Sequence, residues 1–179
     1  MPRFRDIPPF TCTATYRIDV GWDYLKSHME HADQTVNGGL QTDAAFQRAH
    51  VWTAQQQIRY VEFVLCGGLT GKDLYWNCPK FTTGSREGPY VLVDGKQRLT
   101  AVLRFLDNEI HAFGYRFSEY ADRLDPMKAR FSWWVNDLET HAEVLQWYLD
   151  LNRGGVVHTD EEIEKVVRLL ETEKEQVTT

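Results

Sequence analysis

No stretch of this 179-residue chain approaches the roughly 18 consecutive apolar residues of a membrane-spanning helix, and no apolar run of signal length follows the early Arg3 and Arg5. A secreted or membrane-bound protein is therefore not expected. Cysteine is scarce: Cys12, Cys66 and Cys78 are odd in number, widely spaced and without a CxxC pairing, which argues against a disulfide framework or a cysteine zinc site. The expected setting is reducing and cytoplasmic. Positive charge is also short, with 20 Lys and Arg against 26 Asp and Glu and a formal net charge of −6. That balance excludes coating of nucleic acid through the whole surface, while a local basic site stays compatible with it. The histidines form no metal motif; His28 and His31 lie at i, i+3 with Glu30 between them and read as a solvated helix face. No serine sits in a nucleophile elbow, and no GxxxxGK run ending in Ser or Thr exists, so a nucleotide needs some other cradle.

What is present is a length suited to one compact domain and an abundance of rings: six Trp, eight Tyr and nine Phe. The spacing predicts a strand over 13–19, a helix over 21–31 and a loop over 32–43. Thr53 and Gln56 have capping-box spacing and open a helix with Ile58, Val61 and Leu65 on one face, ended by Gly67-Gly68. Strands are expected over 73–78 and 90–93, paired or close to it, and another over 131–135. Capping boxes at Thr140/Glu143 and Thr159/Glu162 open two last helices, the first stopping at Asn152-Arg153-Gly154-Gly155. The expected architecture is one α+β domain with a small mixed sheet, packed helices and a C-terminal helical pair. Its core is expected over 12–170, with an N-terminal extension over 1–11 and an acidic tail over 171–179.

The strongest chemical signal is Tyr90 to Leu106, YVLVDGKQRLTAVLRFL. A β-branched run stops at Asp94-Gly95 and a helix begins at once, placing Lys96, Gln97 and Arg98 at its N-terminus, where free N–H groups and the helix dipole favour an anion. Phosphate is the obvious candidate. Gly95 would let the backbone approach it, Arg98 would fork onto its oxygens, and Asp94 would orient a cation or fix the turn. An ordinary Asp-Gly turn explains the same residues structurally. Phe46-Gln47-Arg48 is a polar pair between rings that offers donors to a phosphate or base, or else a loop whose rings plug the core. Asn152-Arg153 faces a ligand or merely ends a helix. Asp73, Asp94 and Lys96 also imitate a metal-nuclease set, with Asp94 as a metal ligand.

With those residues in view, the chain resembles the N-terminal domain family of the GmrSD-type modification-dependent restriction enzymes, a branch of the ParB/sulfiredoxin-like fold. The family's strand followed by Asp-Gly-Gln-Gln-Arg-Leu-Thr is matched by Val91 to Thr100, its aromatic-Gln-Arg segment by Phe46-Gln47-Arg48 with Trp52, and its late Asn-glycine element by Asn152 to Gly155. The resemblance implies a nucleoside triphosphate site with magnesium. Gln47, Arg48, Gly95, Lys96, Arg98, Thr100, Asn152 and Arg153 would hold the nucleotide, and Asp94 and Gln97 would act on magnesium or water. Lys96 departs from the family's first Gln. A sulfiredoxin would need cysteine there, so sulfur chemistry is not expected. No HNH-like pairing follows the last helix, so a stand-alone domain is expected. The expected function is nucleotide binding, as a triphosphatase or nucleotide-gated switch in DNA restriction, phage defence or counter-defence. The alternatives are a metal-dependent DNA nickase and a non-catalytic interaction module regulating a separate nuclease; DNA or a separate nuclease subunit is the expected macromolecular partner.

Overall fold

The computed structural model describes residues 16–47, 52–152 and 166–173. Five strands, β1 (Tyr16–Gly21), β2 (Leu40–Gln41), β3 (Asp73–Asn77), β4 (Tyr90–Asp94) and β5 (Arg130–Asn136), form one sheet in the order β1-β5-β3-β4-β2. The outer pair β1/β5 and the inner pair β3/β4 are antiparallel, whereas β3/β5 and β4/β2 are parallel. The helices are α1 (Leu25–Thr35), α2 (Ala54–Leu65), α3 (Lys96–Leu106) and α4 (His141–Asn152), and residues 166–173 are helical as well. The α+β class, the small mixed sheet and the closing pair of helices are thus as expected from the sequence.

Alternation along the strands sorts side chains onto two faces. One face sends Val20, Phe131, Trp133, Leu74, Trp76 and Leu92 against Leu25 of α1, Val61 and Val64 of α2, and Leu99, Val102 and Phe105 of α3. The other face carries Val93, which packs with Phe46, with Leu145 and Tyr148 of α4, and with Val166 and Leu170 beyond it. At the centre Trp76 and Trp133 lie nearly parallel, centroids 4.3 Å apart, and Trp133 Nε1 donates to the Tyr90 hydroxyl at 3.0 Å.

Both capping boxes within the described residues form. Thr53 and Gln56 exchange bonds at the start of α2, and Glu143 N–H donates to Thr140 Oγ1 while Glu143 accepts from Thr140 N–H. The third, at Thr159, lies outside the described residues, as do Gly154-Gly155 and residues 13–15 of the first expected strand. Three details differ from the sequence reading. The stretch 32–43 is not all loop: α1 runs on to Thr35, and Leu40 and Gln41 pair with Tyr90 and Val91. A two-residue strand has too little alternation to show, and it exists because β4 offers it an edge. The buried face of α2 is rotated to Gln57, Val61 and Val64, leaving Ile58 half-exposed. Gln57 is tolerated inside because its Nε2 donates to Trp52 O at 3.1 Å and its Oε1 accepts from Arg104 Nη1 at 2.7 Å. Finally, His28 is half-buried, edge-on to Trp133 at 4.7 Å, and not on a fully solvated face.

The two thiols among the described residues divide by burial. Cys66 is exposed, while Cys78 is fully enclosed and its pKa is pushed up to about 11 by burial, against a weaker opposing pull from Arg86. A thiol-directed reagent at pH 8 is expected to label Cys66 in the folded protein and Cys78 only after denaturation. Mass mapping of the modified peptides checks this, and modification of native Cys78 at the rate of Cys66 would contradict it.

Candidate functional site

β4 hands the chain to α3 through a single residue. Gly95 is the helix N-cap, with φ +109° and ψ 7°, a backbone that residues with a Cβ rarely adopt. A Cβ there would lie 2.5 Å from Leu74 Cδ2 and 3.2 Å from Asp73 O, so the glycine also admits β3 against the turn. It supplies no side-chain cap, and the first turn of α3 contains no acid. The leading N–H groups, those of Lys96, Gln97 and Arg98, therefore begin a helix whose first turn carries two cations. Cations at this end oppose the helix dipole by about 0.3–1 kcal/mol each.

Those cations have acidic neighbours. Arg98 Nη2 donates to Asp94 Oδ2 at 2.5 Å, a partly buried pair across one helical turn, and Lys96 Nζ bonds to Asp43, itself largely exposed. Gln97 is buried, and its Oε1 accepts from Trp52 N–H at 3.1 Å. Trp52 O in turn accepts from Gln57, which is held by Arg104, whose Nε reaches Glu109 at 2.8 Å. A continuous polar chain therefore runs from the first turn of α3 through Trp52 to α2 and back to the far end of α3. Thr100 lies one turn beyond Lys96, half-buried.

The second motif is brought to the same place. Gln47 Nε2 donates to Leu92 O at 2.7 Å and Val93 O at 3.2 Å, immediately before Asp94. Its Oε1 is buried without a hydrogen-bond partner among the described residues. Phe46 packs on Tyr148 at 5.3 Å, and Asn152, the third motif, donates from Nδ2 to Tyr148 O at 2.7 Å. Gln47, Asp94 to Arg98 and the α4 end are thus linked by described contacts. Arg48 and Arg153 lie outside the described residues.

Sequence reasoning overlooked what lies beside Asp94 on the sheet. Register puts Arg17, Trp134, Tyr75 and Asp94 directly opposite one another on β1, β5, β3 and β4. Arg17 sits 5.2 Å over Trp134, Trp134 lies parallel to Tyr75 at 6.3 Å, and Trp134 Nε1 donates to Asp73 Oδ1 at 2.8 Å. The Tyr75 phenol is held above its ordinary pKa by burial and, more weakly, by Asp73 and Asp94, with Arg98 acting against them. Tyr60, whose hydroxyl donates to Gly71 O at 2.7 Å, is raised chiefly by burial. Both tyrosines stay protonated donors at neutral pH. Among the described residues, no three His, Cys, Asp or Glu side chains converge as a metal site.

The fold is a small α+β domain on a five-stranded mixed sheet, and α3 starts at the end of an inner strand with two cations and no acid in its first turn. The particular family follows from comparison: residues 33–174 match the GmrSD restriction endonuclease N-terminal domain, and the chain belongs to that family. No curated protein and no solved structure gives a significant match. No helix among the described residues is long and apolar enough to cross a membrane.

Proposed function

We propose that this domain acts in DNA restriction as a nucleotide-binding module, a triphosphatase or nucleotide-gated switch, with triphosphate oxygens seated at the N-terminus of α3. The observation that carries the reading is the first turn of α3: an N-cap without a side-chain cap, no acid, and Lys96 and Arg98 within one turn. An anion there offsets the unfavourable dipole interaction of both cations and offers acceptors to the leading N–H groups. The ParB/sulfiredoxin-like assignment belongs to the same proposal. Asp94 is held by Arg98, Asp43 by Lys96 and Asp73 by Trp134. Magnesium therefore enters only as the counter-ion a triphosphate carries.

Family membership supports the restriction role, and the polar chain from Gln97 supports the switch. Phosphate drawn onto Arg98 competes with Asp94 for the guanidinium. Any shift of the first turn acts on Trp52 through Gln97 Oε1, and so on the segment that carries the second motif. Binding in this scheme is read out by movement of Trp52, the residue that Gln97 holds.

Titration with ATP, GTP, CTP and UTP, with and without Mg²⁺, is expected to raise the melting temperature for at least one nucleotide; 100-fold excess over Kd is worth about 2.7 kcal/mol. Arg98→Ala is expected to weaken that affinity about 10- to 100-fold, the worth of a charged hydrogen bond. Lys96→Gln, which leaves the Asp94 pair intact, is expected to weaken it less. Unchanged calorimetric affinity in a folded Arg98→Ala protein would remove the site from α3.

A further inference from the structure

The other end of β4 opens at Tyr90, about 13 Å along the strand from Asp94. There the sheet, α1 and the connection between β3 and β4 enclose a half-open cavity of about 100 Å³. Its walls are aromatic, formed by Tyr16, Phe81, Tyr90 and Trp133. These rings support one another: Tyr16 meets Phe81 at 5.2 Å, and Phe81 stands perpendicular to Tyr90 at 6.1 Å.

A cation is built into this wall. Arg86 is half-buried, lines the cavity and lies 5.5 Å over the Phe81 ring. Among the described residues no carboxylate pairs with it, and the neighbouring acid, Glu87, is taken by Lys80 at 2.7 Å. The field of Arg86 reaches inward, lowering the pKa of Tyr90 and Cys78 against the larger effect of burial. Its backbone has φ +44°, and Lys80 in the same connection has φ +57°. Two non-glycine residues in left-handed geometry are strained and persist only where the surroundings hold them. Here the Lys80–Glu87 pair and the bond from Thr83 Oγ1 to Lys80 O, at 2.9 Å, tie the connection to itself. Opposite Arg86, α1 contributes half-buried His28 and exposed His31.

From these observations we infer a second binding site, separate from α3, for a small oxyanion carried on a single planar ring, such as an aryl carboxylate or aryl phosphate. The oxyanion pairs with Arg86, the ring lies against the aromatic wall, and His28 and His31 supply hydrogen-bonding nitrogens at the mouth. A dry cavity that encloses benzene measures about 150 Å³, so this smaller one takes a single ring only because its open side leaves part of the ligand in water, and a fused pair is too large for it. The charge selects anions because a half-buried guanidinium with no carboxylate partner among the described residues gains most from a rigid anion that reaches it without a flexible stem of its own.

Amide shift mapping on the full chain, with benzoate and phenyl phosphate as probes, tests the site. Saturable shifts are expected in residues 28–35 and 84–90, with uncharged benzyl alcohol and inorganic phosphate each at least tenfold weaker. Arg86→Gly keeps the left-handed backbone without its strain and is expected to fold and to lose at least tenfold in affinity; Arg86→Gln is expected to lose as much. Arg98→Ala is expected to bind both probes as the wild type does. Absence of saturable shifts, shifts confined to residues 94–98, or undiminished affinity in Arg86→Gly would overturn the inference.

Discussion

Trp133→Ala is expected to destabilise the protein by about 3–5 kcal/mol, the range for emptying a buried large aromatic position, against a total stability of only about 5–15 kcal/mol for a domain. Trp133 is fully buried at the middle of β5, flanked by β1 and β3. Its ring stacks on Trp76 and meets the edge of His28, and its Nε1 donates to the Tyr90 hydroxyl. Alanine removes all three contacts and strands a buried hydroxyl whose pKa burial has already raised. Collapse around the void is restricted because Trp76 is held between β4 and β5 by β3's pairing on both sides. Trp133→Phe keeps the stacked ring and loses the hydrogen bond and part of the volume, so its expected cost is about 1–2 kcal/mol. Urea unfolding of both variants checks the pair; equal losses would mean that the Tyr90 bond, and not ring volume, dominates.

The neighbouring residue shows how far sequence could lead. In FSWWV the alternation announces a strand, but two adjacent tryptophans do not reveal which faces the helices. The answer is set by register: Trp133 stands opposite Leu74 in the covered layer, and Trp134 stands opposite Tyr75 and takes Asp73 as its acceptor. Local signals were legible because their causes are local. The Thr53 and Thr140 capping boxes, the Asp94-Gly95 turn and the α3 stripe all depend on neighbours within one or two turns. Gln47 on the carbonyls of Leu92 and Val93, Lys96 on Asp43 and Gln97 on Trp52 depend on partners 45 or more residues away. The same holds for Arg86, whose interest lies in a left-handed backbone and a cavity assembled from four separate segments. Spacing alone could bring Gln47, Asp94 and Asn152 to notice without supplying the contacts that gather them.

Gly95→Ala is expected to cost about 2–6 kcal/mol, because two separable penalties coincide at one atom. Placing any Cβ at φ +109° costs about 1–3 kcal/mol in backbone strain. The same atom would stand 2.5 Å from Leu74 Cδ2, forcing a buried β3 residue to shift at a further cost of about 1–3 kcal/mol. Gly67, just past the end of α2, separates the two: it has φ +92° with nothing within 4 Å of an added Cβ. Gly67→Ala therefore carries strain without the clash, and its expected loss is the smaller by about 1–3 kcal/mol. Denaturation midpoints at constant m-value measure both. Equal losses would show that Leu74 yields freely and that close packing is not why glycine stands here, leaving backbone geometry alone. A larger loss at Gly95 has a consequence for the proposed site as well. The added Cβ would also lie 3.3 Å from Arg98 Nη2, so relief of the Leu74 contact displaces the guanidinium that the phosphate is meant to find. In that case Gly95→Ala, held below its melting temperature, weakens triphosphate binding along with Arg98→Ala, whereas Gly67→Ala binds as the wild type does.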